Sequence, residues 1–243
     1  MVVSSYLRRI LRCIVVGAIY ALTAYILLVS LLPQELNVSL IIITVLLFTI
    51  YLLMTRSNEV LVIYVIYVMY FMPHLVAVVI PSLYIAVVKF DELILNKLLT
   101  LFTNARLGVE GLTGYLFFGS EAVARYSPAC SSLRVMMFVI PPLLLKNESL
   151  GRRVATSLVG LLLATVANWG RVIAIVLMSR TLGIFWSHII VGSITTTIIS
   201  LMILIIQATL SKEYGKAIVR GAKRMDSDVL ACLTRLPCPR RTS

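Results

Sequence analysis

The sequence VATSLVGLLLATVANWGRVIAIVLM occupies residues 154–178 and holds a single charged side chain, Arg171. It is longer than the roughly 20 apolar residues that a helix needs to cross a bilayer. Similar stretches recur along the chain, which is 60% hydrophobic and 13% charged, with a mean hydropathy of +1.01. A soluble domain of 243 residues would need far more polar surface. The composition therefore predicts a single integral membrane domain over residues 1–243.

Six apolar stretches are predicted to span the membrane. They cover residues 13–32, 38–54, 60–80, 131–145, 154–178 and 186–210. The third continues as apolar sequence to Val88, which leaves a count of seven or eight spans as the alternative. The predicted fold is thus an all-α polytopic membrane protein of about six transmembrane helices.

The net charge of +12 concentrates where the apolar stretches end. Basic residues precede the first stretch, fill the loop at 146–153 and dominate a tail at 211–243. Because Lys and Arg mark the cytoplasmic side, we expect both termini and this tail in the cytoplasm and residues 89–130 outside. The pattern does not predict nucleic-acid binding. It also makes Cys130 the one outer cysteine, a free thiol, since Cys13, Cys232 and Cys238 fall on the inner side.

The segment before Cys130 differs from the apolar stretches. Residues 91–104 carry leucines at helical spacing among polar residues, which predicts an amphipathic helix lying in the membrane interface. Glycines follow, and residues 116–126 are predicted to form a short hairpin that turns at Gly119-Ser120. Both elements would lie on the outer side and lead directly to the cysteine.

Cys130 is the predicted nucleophile. It follows Pro128 at the start of the fourth apolar stretch, where the positive end of a helix favours a thiolate. The alternative is a small buried hydrophobic residue. Arg134, one helical turn further, would support the thiolate or bind substrate, or else serve as a flanking charge.

Arg171 is predicted to belong to a functional site, because an arginine in hydrocarbon costs roughly 2.5–3.5 kcal/mol and usually marks one. The alternative is snorkelling to the outer headgroups. Asn168 would share its helix face. His188, at the start of the last stretch, is the predicted general base or else an interfacial residue, and His74 is the second candidate for the base. The chain lacks His-Glu-x-x-His and Gly-x-Ser-x-Gly motifs, so we expect no metal and no cofactor.

These residues, in this order, resemble the exosortase/archaeosortase family of membrane transpeptidases. The matching elements are Ala129-Cys130-Ser131-Ser132-Leu133-Arg134, then Asn168-x-x-Arg171, then His188 before the last span. The resemblance covers about residues 92–208, which it implies to be the catalytic region. One position departs from the family pattern, since Ser132 stands where a glycine is usual.

The resemblance implies a membrane cysteine protease and transpeptidase in the plasma membrane, with its active site on the outer face. Cys130 would form a thioester with a secreted protein that ends in a short motif, a transmembrane helix and basic residues. Arg171 would stabilise the thiolate or the oxyanion, His188 would move the proton, and Ser131 would support the site. A membrane lipid or another amine would accept the protein. The alternatives are a small transporter or scaffold lined by Arg171 and His188, and a degenerate relative that binds sorting signals without cleaving them.

Overall fold

The computed structural model describes residues 2–31, 38–110, 113–126 and 128–233, without the side chains of some residues in these ranges. This part of the chain is mostly helical. Its α-helices are α1 (Val2–Leu31), α2 (Val38–Thr55), α3 (Asn58–Val79), α4 (Pro81–Leu99), α5 (Met136–Leu143), α6 (Leu150–Ser187), α7 (Thr196–Leu210) and α8 (Lys212–Leu233). Between α4 and α5 lie the strands β1 (Ala105–Glu110), β2 (Thr113–Phe118) and β3 (Glu121–Tyr126).

Three helices in the described part of the chain are long and apolar enough to cross a membrane. They are α2, α3 and the Leu150–Gly183 portion of α6. Large apolar side chains such as Leu53 and Val166 point outward from them, as is expected for helices that face lipid. Shorter apolar helices cover Ile10–Ile26, Ser132–Leu143 and Thr197–Leu210. The structure is consistent with a helical membrane protein, and the predicted count of six spans is not confirmed.

The predicted third span, residues 60–80, agrees with α3, and a proline separates it from the apolar residues up to Val88. α3 ends at Val79, and α4 begins with Pro81 in its first turn, where the missing N–H breaks no helical hydrogen bond. The predicted interfacial helix over 91–104 is wrong as a separate element, because residues 91–99 are the second half of α4. Leu95 and Leu99 are fully buried against the sheet and α6, so their helical spacing reflects packing on protein rather than on lipid.

Two predicted span boundaries are also wrong. Residues 128–135 form two 3-10 turns, Pro128–Cys130 and Ser132–Val135, so the α-helical part of the predicted fourth span is only Met136–Leu143. The expected break before the sixth span is replaced by continuous helix. α6 runs on to Ser187 through a kink at Gly183, whose φ of 74° suits a residue without a side chain, and a π-helical segment, His188–Thr195, joins it to α7.

The predicted hairpin is confirmed and belongs to a three-stranded sheet. The strands are antiparallel in the order β1, β2, β3, and Gly119 turns the chain between β2 and β3 with a φ of 63°. The sequence did not predict β1. Asn96 of α4 fixes this strand, because its side chain accepts from Leu107 N at 2.7 Å and donates to Leu107 O at 2.8 Å.

Residues 212–233 of the predicted basic tail form α8, which packs against α1, α3 and α7. Tyr20 and Tyr51 donate hydrogen bonds to Asp226 and Asp228 at 2.7 and 2.8 Å. Ser211 caps the helix by accepting from Tyr214 N at 3.0 Å. The segment is therefore a docked helix, while residues 234–243 lie outside the described part of the chain.

A buried glutamine joins α5, α6 and α7. Phe138 O has no helical donor four residues on, because residue 142 is proline. Gln207 Nε2 supplies that donor at 2.7 Å and also reaches Thr156 O at 3.0 Å. Gly160 leaves room for this amide, since a Cβ there would overlap Gln207 Nε2 and lie 2.8 Å from Phe138 O.

We expect Gly160→Ala to destabilise the protein by about 3 kcal/mol, from overlap and from the loss of two buried hydrogen bonds. The measurement is the thermal unfolding midpoint in detergent. Gly151→Ala in the same helix is the matched control, because a Cβ at Gly151 meets nothing within 4 Å. Since alanine favours helix over glycine, the control should be neutral or slightly stabilised. Equal midpoints for the two variants would contradict the role of Gln207.

Candidate active site

Cys130 ends the first 3-10 turn and is buried, with 6% of its surface exposed. The helix α5 starts only at Met136, so the prediction that a helix N-terminus faces the thiol is wrong. The turn ends at Cys130 because Ser132 bonds to another segment instead of extending it. Ser131 does not reach the sulfur: its hydroxyl donates to Pro128 O at 2.8 Å and closes the turn.

Two residues of α6 contact Cys130 directly. Arg171 Nη2 lies 3.3 Å from Cys130 Sγ, and Asn168 Nδ2 donates to Cys130 O at 2.9 Å. Both side chains are buried, with 6% and 9% of their surfaces exposed. The spacing of three residues places both on one helix face, as expected from the sequence. The structure thus brings the predicted nucleophile Cys130 and the predicted site residue Arg171 together, with the guanidinium directed at the sulfur.

A tyrosine holds the same carbonyl from the other side. Tyr126, the last residue of β3, donates to Cys130 O at 2.6 Å and lies 3.2 Å from Asp91 Oδ2. Burial, followed by the charges of Asp91 and Cys130, raises the pKa of Tyr126, so this hydroxyl keeps its proton. Cys130 O therefore accepts one hydrogen bond from the sheet and one from α6, which fixes the main chain of the nucleophile.

Asp91, like Tyr126, is a site residue that sequence analysis missed. It lies in α4 with its surface fully buried, and it accepts from Ser132 N at 3.0 Å and from the Ser132 hydroxyl. Burial raises the pKa of Asp91, although hydrogen bonds from Ser132 and Tyr126 act to lower it. Ser132, the departure from the family pattern, thus has a hydrogen-bonding role that glycine lacks.

Arg134 and His74 flank the site on the side of α3. The Arg134 guanidinium stacks on the Tyr70 ring at 4.1 Å, and its Nε is buried with no hydrogen-bond partner among the described residues. His74 is one helical turn from Tyr70 and so shares its face of α3. Both residues therefore lie near Cys130. Among the described residues, the hydrogen bond to its sulfur comes from Arg171 and not from either of them.

The position of the predicted base is only partly described. His188 begins the π-helical segment after α6, and its side chain lies outside the described residues. Of the cysteines expected on the inner side, Cys232 lies in α8 without a described side chain, Cys238 lies outside the described residues, and Cys13 donates to Asp228 O at 3.0 Å in the contact of α1 with α8. The described residues contain no group of three or more His, Cys, Asp or Glu side chains placed to hold a metal ion.

No protein-family model, curated protein or solved structure matches this chain. The function must therefore be argued from the site itself. A buried thiol beside a guanidinium, with its main chain fixed from two sides, has the parts of a cysteine nucleophile, because a neighbouring cation stabilises a thiolate.

We expect Asp91→Ala to move the midpoint of the pH profile of Cys130 alkylation upward by about one pH unit, equivalent to 1.4 kcal/mol. The turn would relax and the contact with Arg171 would loosen. Asp91→Asn should shift the midpoint less than Asp91→Ala, since the amide oxygen can still accept a hydrogen bond from Ser132. The measurement is the rate of iodoacetamide alkylation against pH, with Cys13, Cys232 and Cys238 replaced by serine.

Asp226→Asn is the matched control, because this aspartate bonds to Tyr20 at the distant α1–α8 contact. Its profile should equal that of the parent protein. An unchanged midpoint in Asp91→Ala would contradict the role given to Asp91.

Proposed function

We propose that this protein is a membrane cysteine transpeptidase that cleaves C-terminal sorting signals from secreted proteins and transfers the proteins to a membrane lipid or another amine. The proposal agrees with the resemblance to exosortases and archaeosortases. The observation that carries it is the 3.3 Å contact between Cys130 Sγ and Arg171 Nη2 inside an apolar helix assembly. A buried guanidinium beside a thiol stabilises the thiolate, which is the form in which the thiol reacts.

The proposed reaction has two steps. The Cys130 thiolate attacks the carbonyl carbon of the scissile peptide, and the C–N bond breaks as the C–S bond of a thioester forms. The leaving amine takes its proton from the imidazolium that first deprotonated the thiol. The acceptor amine then attacks the thioester, loses a proton to the imidazole and releases the thiolate.

Arg171 is proposed to stabilise the negative charge that develops in both steps. Its planar group can donate to the sulfur and to an oxyanion, whereas lysine would offer a single point charge. Asn168 keeps the main chain of the nucleophile in place through Cys130 O. His188 is proposed as the base and His74 as the alternative, the second being supported by its position one turn from the ring that Arg134 covers.

The protein is proposed to lie in the plasma membrane with both termini in the cytoplasm and Cys130 at the outer face. Arg152 marks the basic end of α6, where it lies 3.5 Å from Glu148. Arg171 is nineteen residues further along the same helix, which is about 28 Å at 1.5 Å per residue. That rise is close to the thickness of the hydrocarbon core, about 30 Å. The distance supports placing the thiol and the basic loop at opposite faces.

The variant Cys130→Ser tests the proposed function without knowledge of the motif that the substrates carry. We expect the protein to accumulate normally while one or more secreted proteins retain their C-terminal helix and basic end, because a serine hydroxyl without a matched base is a poor nucleophile. The measurement is quantitative mass spectrometry of protein C-termini in the host strain. Cys13→Ser is the control and should process normally.

The same assay ranks the two histidines. His188→Ala should block processing, and His74→Ala should leave most of it. The reverse order would assign the base to α3. Normal processing in Cys130→Ser would refute the proposed function.

A further inference from the structure

The end of α7 and the first half of α8 border an open groove of about 520 Å³, away from Cys130. Ligand sites in proteins are usually about 300–1,000 Å³, so the groove has room for a polar headgroup. No acidic residue is among the described residues that line it. Its basic residues all belong to α8, and they are Lys212, Lys216, Arg220 and Lys223.

The basic side chains point outward because the opposite face of α8 is docked on the protein. Tyr214, Ala217, Gly221 and Met225 recur every three or four residues along that face and are buried. A Cβ at Gly221 would lie 2.6 Å from Glu59 O, so the two helices approach closely here. This close packing against α3 fixes the direction in which the basic face of α8 points.

One ion pair partly compensates for the charge of this face. Lys216 Nζ lies 2.7 Å from Glu213 Oε1. Lys212, Arg220 and Lys223 make no ion pair within the described part of the chain. Like charges one turn apart on a helix destabilise it. An anion bound in the groove would therefore relieve repulsion within α8.

The other carboxylates near α8 are placed elsewhere. Arg220 interacts with Glu213 and Glu59 at longer range. Asp226 and Asp228 accept hydrogen bonds from tyrosines of α1 and α2. The groove thus keeps an excess of positive charge that the described residues around it do not neutralise.

An exposed apolar stripe on α7 leads into the groove. Ile198, Leu201 and Ile205 are more than half exposed, at 55%, 58% and 54% of their surfaces. Their spacing of three and four residues continues to Ala208, which lines the groove. A free anion or an acidic peptide would use the cations alone, whereas a phospholipid would use both the cations and the stripe.

We propose that this groove binds the headgroup of an anionic phospholipid whose acyl chain lies along Ile198, Leu201 and Ile205. The phosphate would accept hydrogen bonds from the planar group of Arg220 and from the neighbouring lysines. Basic residues clustered on an amphipathic helix beside a membrane are suited to anionic lipid. This site is independent of the proposed function, because it includes none of the residues around Cys130.

The test is lipid binding by the purified full-length protein in detergent, measured by native mass spectrometry. The probes are dioleoyl phosphatidylglycerol, which is anionic, dioleoyl phosphatidylcholine, which has the same chains and no net charge, and inorganic phosphate. We expect phosphatidylglycerol to bind at least about tenfold more tightly than phosphatidylcholine. Inorganic phosphate at the same concentration should not displace it, because phosphate makes no contact with the stripe.

Two double variants assign the binding to the groove. Arg220→Gln with Lys223→Gln should weaken phosphatidylglycerol binding by about tenfold or more, since each cation near a lipid surface contributes about fivefold. Lys89→Gln with Lys97→Gln removes the same charge from α4, outside the groove, and should leave binding unchanged.

A substitution at Val219 tests the groove while keeping all its cations. This side chain lines the groove and is 52% exposed, so both variants are expected to fold. Val219→Glu places a carboxylate among the cations and should weaken phosphatidylglycerol binding about tenfold. Val219→Gln has nearly the same size without the charge and should bind much as the parent protein does.

Equal binding of the two lipids would overturn the proposal, and so would equal losses in the α8 and α4 double variants. Full binding by Val219→Glu would also contradict it. Displacement of the lipid by inorganic phosphate would show a free-anion site and overturn the lipid assignment.

Discussion

The carbonyl oxygen of Cys130 is the point at which the two halves of the site are joined. It accepts from Tyr126 at the end of the sheet and from Asn168 on α6. These two bonds compensate for a buried backbone acceptor that no helix satisfies, since the chain is in 3-10 turns here. They also settle which way the thiol points, because Asn168 and Arg171 share one face of α6. Without this junction, the guanidinium of Arg171 would not be held beside the thiol.

Polar side chains fix the other breaks in the helical assembly in the same way. Gln207 compensates for the donor that Pro142 lacks, Asn96 bonds to both backbone groups of Leu107, and Ser211 caps α8. Each bond lies where regular helix stops or a strand meets a helix. In an apolar environment an unsatisfied backbone group is expensive, so such residues determine where the chain can turn. The 3-10 turn at Cys130 is another such break in regular helix, and it carries the thiol.

The sequence predicted what depends on local pattern. Apolar length predicted α2, α3 and α6, the Gly119-Ser120 turn predicted the hairpin, and the spacing of Asn168 and Arg171 predicted their common face. The other span boundaries were less predictable. The polar residues 179–181 predicted a break where the helix continues with a kink at Gly183, and the predicted fourth span begins in 3-10 turns rather than α-helix. The leucines of α4 had the spacing of an interfacial helix, but the sheet and α6 cover Leu95 and Leu99. Periodicity shows that a face is apolar and does not show what packs on it.

Asp91 could not have been predicted, since its partner Ser132 is 41 residues away and nothing in the local sequence joins them. What distinguishes Asp91 is its burial, which only the structure shows, because an aspartate in an amphipathic pattern is usually solvated. The same holds for Tyr126, which resembles any aromatic residue of a strand. The residues with visible signals were those whose chemistry is out of place in an apolar stretch, namely Cys130, Asn168 and Arg171.

The central claim, that Cys130 is an acyl carrier, is tested most directly by mass spectrometry of the peptide containing Cys130. The protein would be isolated from its own host membranes under mildly acidic conditions, which preserve thioesters. The account predicts a fraction of this peptide carrying an acyl adduct that hydroxylamine removes, and an adduct fraction that is lower in Arg171→Lys. An unmodified Cys130 in membranes where secreted proteins lose their C-terminal helices would contradict it.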